Sequence, residues 1–249
     1  MDLTPSAAYF AGHFPAQPIL PGITQIALAV AAMRREAEVP TLRAVRHARL
    51  RRLVAPGDRL ALRRRPASDA LIRFELRVAD RVVTNGEVEF GPLVSWEGRL
   101  PAFGPVVDHP PIEQLLPHRP PMLFVRRVLA QGAEMIVCEA ELPPDCPLAD
   151  ESVAPAITAV EAAAQAAAVW EGLRRRDAAE ASSGSRMGYL VSLRDVVFTQ
   201  ASLPVKRPFQ VVVRLESRMP PLSTYAVEAY CDGLPLLRGE IGTFLAGAD

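Results

Sequence analysis

The spacing of apolar residues in the first half of the chain predicts one long helix followed by strands. Apolar side chains recur at helical spacing over residues 22–38, and this segment ends in charged residues. Beyond it, runs of alternating apolar and polar residues are divided by turn signals such as Pro56-Gly57-Asp58. These runs predict four strands, at 42–54, 59–65, 71–79 and 81–92. The stretch 99–111 is rich in proline and glycine and has no periodicity, which is typical of a linker.

The second half of the chain repeats this plan. A short helical turn is predicted at 112–116 and a long alanine-rich helix at 156–176, followed by a polar break at 177–186. Strands are predicted at 119–130, 134–143, 187–199, 208–217, 223–231 and 234–245. A proline-marked turn precedes the long helix in each half, "PILPG" in the first and "SVAPA" in the second. The chain is therefore interpreted as an internal duplication of pattern, although little of the sequence is identical.

A lone helix followed by an antiparallel meander predicts an α+β unit, in which a sheet wraps around one buried helix. Alanine on the helix surface favours this arrangement because small side chains let a sheet approach closely. We predict an N-terminal unit at 1–98, a linker at 99–111 and a C-terminal unit at 112–249. Little chain precedes the first helix, which indicates that the N-terminal unit lacks its leading strands.

Composition narrows the possible environments and partners. Basic and acidic residues balance at 28 each, so the overall charge does not favour nucleic acid as a partner. The three cysteines show no CxxC spacing, which favours neither a disulfide framework nor a zinc site. No cleavable leader is evident, and the longest apolar stretch, 23–33, is shorter than the roughly 20 residues that span a bilayer. A cytoplasmic protein with no membrane association is predicted.

Three motifs carry a resemblance to a known family. "GHFPAQPILPG" at 12–22 resembles the "GHFPxxPxxPG" motif of the hotdog-fold β-hydroxyacyl-ACP dehydratases of fatty acid and polyketide synthesis. "LPHRPPMLFVRRVL" at 116–129 is similar to the first-strand motif of that family. "CPLADESVAPAITAVEAAAQ" at 146–165 is similar to its histidine-to-helix segment, which ends in Glu-x-x-x-Gln. The chain most resembles the two paired dehydratase-like proteins of aryl polyene gene clusters, fused head to tail.

This resemblance implies a tandem, or double, hotdog fold and a dehydratase activity. It implies no metal or nucleotide cofactor, because the phosphopantetheine arm belongs to the acyl carrier protein that brings the substrate. Elimination of water from a 3-hydroxyacyl thioester needs one group that accepts a proton from C2 and another that protonates or orients the leaving oxygen. In the family, a histidine of one hotdog unit and a helix carboxylate of its partner take these two roles.

Each half of this chain lacks one member of that catalytic pair. The first half has the motif histidine, His13, but Ala27 at the carboxylate position. The second half has the carboxylate, Glu161, but Cys146 at the histidine position. The resemblance therefore implies one composite catalytic site, with His13 as base and Glu161 as acid. The second site is expected to be degenerate, with Cys146, Ala27 and Gly22 at its positions.

The resemblance also implies a set of substrate-binding residues, namely Ala156, Gln165, Phe14 and Pro155. Ala156 follows the helix-start proline, Pro155, at the position whose N–H binds the thioester carbonyl in the family, and a first helical turn has free N–H groups suited to that task. For Gln165, orientation of the catalytic carboxylate and ordinary helix packing are both open.

Simpler structural interpretations exist for several of these residues. His13 on its own is consistent with a packed loop histidine, and Glu161 with a glutamate that faces solvent. Cys146 is interpreted as a small apolar replacement rather than a nucleophile, because nothing nearby in sequence would activate it. His118, within "LPHRPP", is interpreted as structural.

The predicted function is dehydration of (3R)-3-hydroxyacyl thioesters on acyl carrier protein to trans-2-enoyl thioesters, in fatty acid, polyketide or aryl polyene type biosynthesis. Three arginine clusters, at 49–52, 63–65 and 174–176, are candidates to dock the acidic carrier. Two alternatives stay open, a non-catalytic acyl-binding or scaffold partner of another dehydratase and a hotdog thioesterase. A monomer and a dimer of double hotdogs are both compatible with a fused pair.

Overall fold

A computed structural model describes residues 1–37, 40–103, 108–177 and 187–246. Two long helices dominate this part of the chain, and nearly all of its strands belong to one sheet. The helices are α1 Gly22–Ala37, α2 Ile112–Leu115 and α3 Thr158–Asp177, with a 3₁₀ helix at Ala7–Phe10. The strands are β1 Asp2–Leu3, β2 Leu42–Leu50, β3 Leu60–Pro66, β4 Leu71–Val78, β5 Arg81–Phe90, β6 Val125–Gln131, β7 Met135–Ala140, β8 Val153–Pro155, β9 Gly188–Phe198, β10 Ser202–Pro204, β11 Phe209–Met219, β12 Leu222–Cys231 and β13 Leu234–Leu245.

Eleven strands form one continuous antiparallel sheet in the order β1-β3-β4-β5-β2-β9-β13-β12-β11-β7-β6. All strands of the first half lie on one side of this order, and all strands of the second half lie on the other. The two sets meet where β2 pairs with β9, over a register that runs from Ala44 opposite Val197 to Arg49 opposite Ser192. The halves therefore share one sheet through their backbone hydrogen bonds. Strands β8 and β10 form a separate two-stranded ribbon.

Each long helix is buried against the strands of its own half. α1 packs on β4 and β5, whereas α3 packs on β6, β7, β11, β12 and β13, and the two helices also contact each other. Alanines supply much of the contact surface, since Ala29 and Ala32 of α1 and Ala162 and Ala166 of α3 are fully buried. This arrangement confirms the predicted α+β architecture of two helices wrapped by antiparallel sheet. In the described part of the chain, no helix is long and apolar enough to cross a membrane.

The observed elements follow the predicted pattern closely, with two differences. Residues 119–124, predicted as strand, form a turn before β6, in which the Met122 N–H donates to the Arg119 carbonyl at 2.9 Å. The short strands β1, β8 and β10 were not predicted, because two or three residues carry no readable periodicity. The predicted break at 177–186 lies almost wholly outside the described residues, as does the middle of the predicted linker.

The first half is shorter than the second at the sheet edge. Counting outward from the β2–β9 pair, β1 occupies the place that β7 has in the second half, with two residues against six. Within the described residues, β6 has no counterpart in the first half. Strand β6 therefore extends the second half of the sheet by one strand beyond the place of β1 in the first half.

The loop before α1 rests directly on the turn before β6. The Arg119 N–H donates to the Gly12 carbonyl at 2.8 Å, which joins the two halves through backbone atoms. Gly12 has φ +74°, in the left-handed region, and a Cβ on it would overlap the carbonyl oxygen of Arg119. Only glycine fits at this contact.

Gly12→Ala should therefore destabilise the fold more than a substitution at an ordinary left-handed glycine does. Gly233→Ala is the matched control, because Gly233 has the same φ of +74° and no atom lies within 4 Å of the position that a Cβ would take there. The control should lose about 1–2 kcal/mol of unfolding free energy. Gly12→Ala should lose about 1–3 kcal/mol more, because the methyl group also meets backbone that cannot move aside. Urea unfolding of both variants measures the difference, and equal losses would contradict the proposed contact.

Candidate active site

His13 is held rigidly in the proline-rich loop that leads into α1. Its side chain is 6% exposed, and Nδ1 lies 2.9 Å from the carbonyl oxygen of Ile19. A carbonyl only accepts hydrogen bonds, so Nδ1 carries the hydrogen and the neutral ring keeps a lone pair on Nε2. The next residue, Phe14, has φ +52° and stacks on the imidazole with ring centroids 4.3 Å apart. The loop thus presents one basic nitrogen in a fixed orientation.

Glu161 lies in the first turn of α3 and is 4% exposed, which excludes the interpretation that it faces solvent. Gln165, one turn later, donates from Nε2 to Glu161 Oε1 at 3.3 Å and to the Met122 carbonyl at 2.7 Å. Its Oε1 accepts from the Phe124 N–H at 2.9 Å. Gln165 therefore both orients the carboxylate and ties α3 to the turn before β6, so the two roles left open by the sequence occur together.

His118 belongs to the same cluster, which its interpretation as structural did not foresee. The ring is 5% exposed, and Nε2 lies 3.4 Å from Glu161 Oε1. This is ion-pair distance, but it is longer than a well-formed hydrogen bond, and neither ring nitrogen has a hydrogen-bond partner among the described residues. Its centroid lies 5.2 Å from that of His13. One signal in the sequence could have indicated that His118 belongs to the site. Prolines surround His118, just as prolines surround and immobilise His13.

The electrostatics leave a neutral base beside an ionised carboxylate. Burial lowers the pKa of His13 to about 4, an effect that the nearby Glu161 carboxylate partly offsets. Burial by itself would raise the pKa of Glu161, but the contact with His118 and the charge of the neighbouring imidazoles outweigh it, so that pKa lies below its usual value. At neutral pH, His13 is therefore unprotonated and able to accept a proton.

These side chains line a cavity of about 280 Å³ that is built from both halves of the chain. His13, Phe14 and Gly22 come from the first half, and His118, Glu161 and Gln165 come from the second. The wall is formed by the ends of consecutive strands, from β2 through β9, β13 and β12 to β11. The ring of Phe14 contacts that of Tyr189 on β9 edge to face, with ring centroids 5.8 Å apart. This contact places the cluster of His13, His118 and Glu161 near β9.

The structure corrects the predicted position of the carbonyl-binding residues. Ala156 and Pro155 line a second, smaller cavity of about 70 Å³, together with Ala27. The Ala156 N–H is also already used, because it donates to the Ala201 carbonyl at 3.0 Å. Gly22, expected in the degenerate site, instead lines the larger cavity.

The order of elements along the chain explains why Gly22, and not Ala156, lines the cavity of His13 and Glu161. The histidine loop leads directly into its own helix, so His13 lies beside the N-terminus of α1 and not beside that of α3. The carboxylate of the same cavity comes from the other helix. The N-terminus of α1, at Gly22, therefore lines the same cavity as His13 and Glu161.

Cys146 lines neither of the two cavities and is 4% exposed. Burial raises the pKa of its thiol, which makes the thiolate less accessible. This environment supports the interpretation of Cys146 as a small packed residue.

His13, His118 and Glu161 form one buried cluster, whose ring nitrogens and carboxylate oxygen lie within 4.8 Å of one another. Two imidazoles and a carboxylate at this spacing can exchange protons with one small group bound beside them.

Family comparisons match the two halves separately. A family model described as ApeP-like, ApeP dehydratase, matches residues 110–247, and one described as ApeI-like, ApeI dehydratase, matches residues 1–87. A 3-hydroxyacyl-[acyl-carrier-protein] dehydratase FabZ from Wolbachia pipientis wMel is 34% identical over 84 residues, which cover 30% of this chain. The match spans 59% of the length of that relative.

Solved structures with the same fold cover nearly the whole chain. The dehydratase domain of PpsC from Mycobacterium tuberculosis, in complex with C12:1-CoA, matches with a TM-score of 0.73 and 16% identity, over 98% of this chain and 92% of its own. A trans-AT PKS dehydratase domain from Brevibacillus brevis matches with a TM-score of 0.72 and 14% identity, over 99% of this chain and 93% of its own. The dehydratase heterocomplex ApeI:P from Xenorhabdus doucetiae matches over 56% of this chain and 93% of its own, with a TM-score of 0.51 and 24% identity. These matches confirm the predicted double hotdog fold.

The lowered pKa of His13 predicts a pH-dependent stability. Between pH 6.5 and 4 the unfolded chain binds a proton at this histidine and the folded chain does not, so stability should fall as the pH is lowered through this window. The contribution of His13 is about 3 kcal/mol. Urea unfolding at several pH values should show that His13→Gln loses about 3 kcal/mol less than the wild type over this range. His47→Gln, which removes an exposed imidazole, is the control. Equal pH slopes for His13→Gln and the wild type would contradict a buried, neutral His13.

Proposed function

This chain belongs to the ApeP-like dehydratase family, and we propose that it eliminates water from (3R)-3-hydroxyacyl thioesters carried by an acyl carrier protein. The observation that carries the proposal is the meeting of His13 and Glu161, one from each half, at one cavity. Each half alone supplies only one of the two groups that the elimination requires. The fused chain supplies both.

The elimination proceeds with His13 as base. Nε2 accepts a hydrogen from C2 of the substrate, and the electrons of the broken C–H bond form the double bond to C3. The bond between C3 and oxygen breaks, and the departing hydroxyl takes a proton through Glu161 to leave as water. One proton enters the protein and one leaves it in each turnover, so the products are the trans-2-enoyl thioester and water.

His118 supplies the proton that Glu161 delivers. The pKa of Glu161 lies below its usual value, so the carboxyl group alone is a poor store of a proton at neutral pH. His118 Nε2 lies 3.4 Å from Glu161 Oε1, and once the two groups close to hydrogen-bond distance around a bound substrate a proton passes from His118 to the carboxylate and on to the leaving oxygen. After the reaction His13 carries the extra proton and the pair lacks one, and transfer within the cluster restores the starting state.

The thioester carbonyl binds at the N-terminus of α1. The N–H groups of a first helical turn have no partner within the helix, and the positive end of the helix dipole stabilises the enolate-like charge on the carbonyl oxygen. Gly22 brings this helix end into the cavity, close against Leu50 at the end of β2. A side chain at this position would collide with Leu50.

The carrier arm enters beside Gly22. Arg51 and Arg52 directly follow β2, are exposed, and line the cavity at the end where the carbonyl binds. Their charges are placed to attract the phosphate of a phosphopantetheine arm and the acidic carrier behind it. The cluster at 63–65 lies on β3 and does not line the cavity, and the cluster at 174–176 reaches it only through Arg175, beside Glu171 and away from Gly22. Position at the carbonyl end therefore favours the cluster at 49–52 as the docking site.

Removal of either member of the composite site should abolish turnover. His13→Ala and Glu161→Gln should each lower kcat/KM for a 3-hydroxyacyl carrier substrate by about 100-fold to 10,000-fold, as expected for loss of a general base or acid. Cys146→Ala, away from both cavities, should keep wild-type activity. Water elimination is followed by the mass loss of the carrier-bound acyl group. A kcat/KM of His13→Ala close to that of the wild type would overturn the composite site, and a wild-type chain that binds the acyl group without converting it would favour the non-catalytic alternative.

The role of His118 predicts a loss in kcat rather than in KM. His118→Asn keeps much of the volume and the hydrogen-bonding capacity but cannot carry the proton, so kcat should fall about 100-fold. In His118→Ala, added imidazole should enter the vacated space and restore part of kcat. A purely structural histidine would show raised KM or lower stability, with no rescue by imidazole and no change in the pH profile of kcat.

A further inference from the structure

One end of the cavity carries polar groups that an alkyl chain would not need. Its middle is apolar, formed by Ala164, Ala167 and Ala168 of α3 together with Leu190. Beyond this stretch it reaches a second buried carboxylate, Glu171, which is 9% exposed. Elimination of water uses only the first carboxylate, Glu161. Burial of another charge in the same cavity therefore needs a separate explanation, because an ionised group is costly to remove from water.

Glu171 is only partly satisfied by the protein. Oε1 accepts a hydrogen bond from the Tyr225 hydroxyl at 3.0 Å, and Oε2 lies 3.4 Å from Nη2 of Arg218. A carboxylate offers about four acceptor positions, so acceptor capacity remains. Next to it, Arg175 also lines the cavity, and its Nη1 is buried without a hydrogen-bond partner among the described residues. One acceptor and one donor are thus both available at this end.

A similar trio elsewhere in the fold shows what differs here. Glu228 accepts from the Tyr230 hydroxyl at 3.1 Å and from Nη1 of Arg214 at 3.1 Å, but none of these three residues lines the cavity. The Glu228 trio lies on the sheet and needs no ligand. The Glu171 group faces the space that the substrate occupies.

The order of strands gives the direction of the acyl chain. The carbonyl site at Gly22 lies at the β2 end of the cavity, the catalytic cluster lies near β9, and Tyr225 and Arg218 lie on β12 and β11. An acyl chain that starts at the carbonyl and passes the catalytic cluster therefore points toward Glu171. β12 is two strand spacings from β9, about 10 Å, and Glu171 is ten residues beyond Glu161 on α3, a rise of about 15 Å.

We propose that Glu171, Tyr225 and Arg175 form a distal subsite that binds a hydroxyl group at the far end of the acyl chain. This inference rests on the proposed function, because that function sets which end of the substrate lies at Gly22. The hydroxyl donates to Glu171 and accepts from Nη1 of Arg175. An extended chain advances about 1.2 Å per bond, so the hydroxyl lies about eight to twelve bonds beyond C3.

A hydroxyl fits this end better than the other common chain ends. A methyl group would leave both Glu171 and Arg175 without the hydrogen bonds that they lose from water. A terminal carboxylate would be repelled by Glu171, and a terminal ammonium group by Arg175 and Arg218. An uncharged group that both donates and accepts satisfies the whole set.

Paired substrates test the subsite. The probes are 3-hydroxyacyl pantetheine thioesters whose chains end in –CH2–OH or –CH2–CH3, with equal numbers of non-hydrogen atoms and ends about eight to twelve bonds beyond C3. The wild-type chain should prefer the hydroxyl-ended member in kcat/KM by about tenfold or more at the matching length. If the cavity ended in an apolar wall, kcat/KM would be higher for the methyl-ended substrate. Equal values for the pair, or a preference for the methyl-ended substrate, would overturn the proposal.

Two variants of Glu171 test whether this residue causes the preference for the hydroxyl-ended substrate. Glu171→Leu should reverse the order of the pair, and Glu171→Gln, which keeps a polar group in case the leucine variant does not fold, should reduce the preference. Glu228→Gln is the matched control from the trio outside the cavity and should keep the wild-type ratio. A preference that survives in both Glu171 variants would overturn the assignment.

The short 3-hydroxybutyryl pantetheine thioester separates this inference from the proposed function. Its chain ends before the distal subsite, so its conversion reports dehydration alone. Conversion of the short substrate without a preference between the long pair would refute only the distal subsite. If neither the short substrate nor either long substrate is converted, the proposed function fails. The subsite is then judged by calorimetry with the matching pair of alkyl pantetheine thioethers, where the hydroxyl-ended compound should bind about tenfold more tightly and equal binding would overturn it.

Discussion

The site depends on one constraint, which is that a buried carboxylate must be partnered. An ionised Glu161 left unpaired in the core would cost several kcal/mol. Its partners both come from the second half of the chain: Gln165 from its own helix and His118 from the segment before β6. The unprotonated His13, from the first half, lies beside this pair in the same cavity, so the two halves meet at the cluster of His13, His118 and Glu161 as well as at the β2–β9 pair.

The duplicated fold makes two cavities, and their different sizes follow from the side chains that fill them. The larger contains the histidine loop, the N-terminus of α1 and Glu161 from α3. The smaller contains the N-terminus of α3 and Ala27 from α1 in the equivalent arrangement, at about 70 Å³ against 280 Å³. A carboxylate without its histidine would be a buried charge with no compensation. The loss of both members from one site is thus less costly than the loss of either member alone.

The larger cavity has a polar end on each side of an apolar middle. Exposed arginines stand where β2 ends, alanines of α3 form the floor, and Glu171 lies beyond them. An acyl thioester has the same sequence of properties, with a charged carrier arm, a reactive head and an apolar chain. The cavity and the acyl thioester present these properties in the same order, which supports a single direction of substrate binding. The proposed distal subsite also accounts for the position of the second buried carboxylate, Glu171.

The sequence by itself determined the two long helices, most strands and the duplication of pattern, because these follow from periodicity and from turn signals close together along the chain. The pairing of His13 with Glu161 was expected from the family resemblance and from the absence of a partner in each half, and both side chains line one cavity. Only the tertiary structure decided that His118 joins the cluster, that Gly22 and not Ala156 lines the larger cavity, and that Glu171 lines it too. The meeting of His13 with His118 depends on how the loop before α1 rests on the segment before β6, as Gly12 rests on Arg119. That contact joins residues more than 100 positions apart, and no local pattern of apolar and polar residues records it.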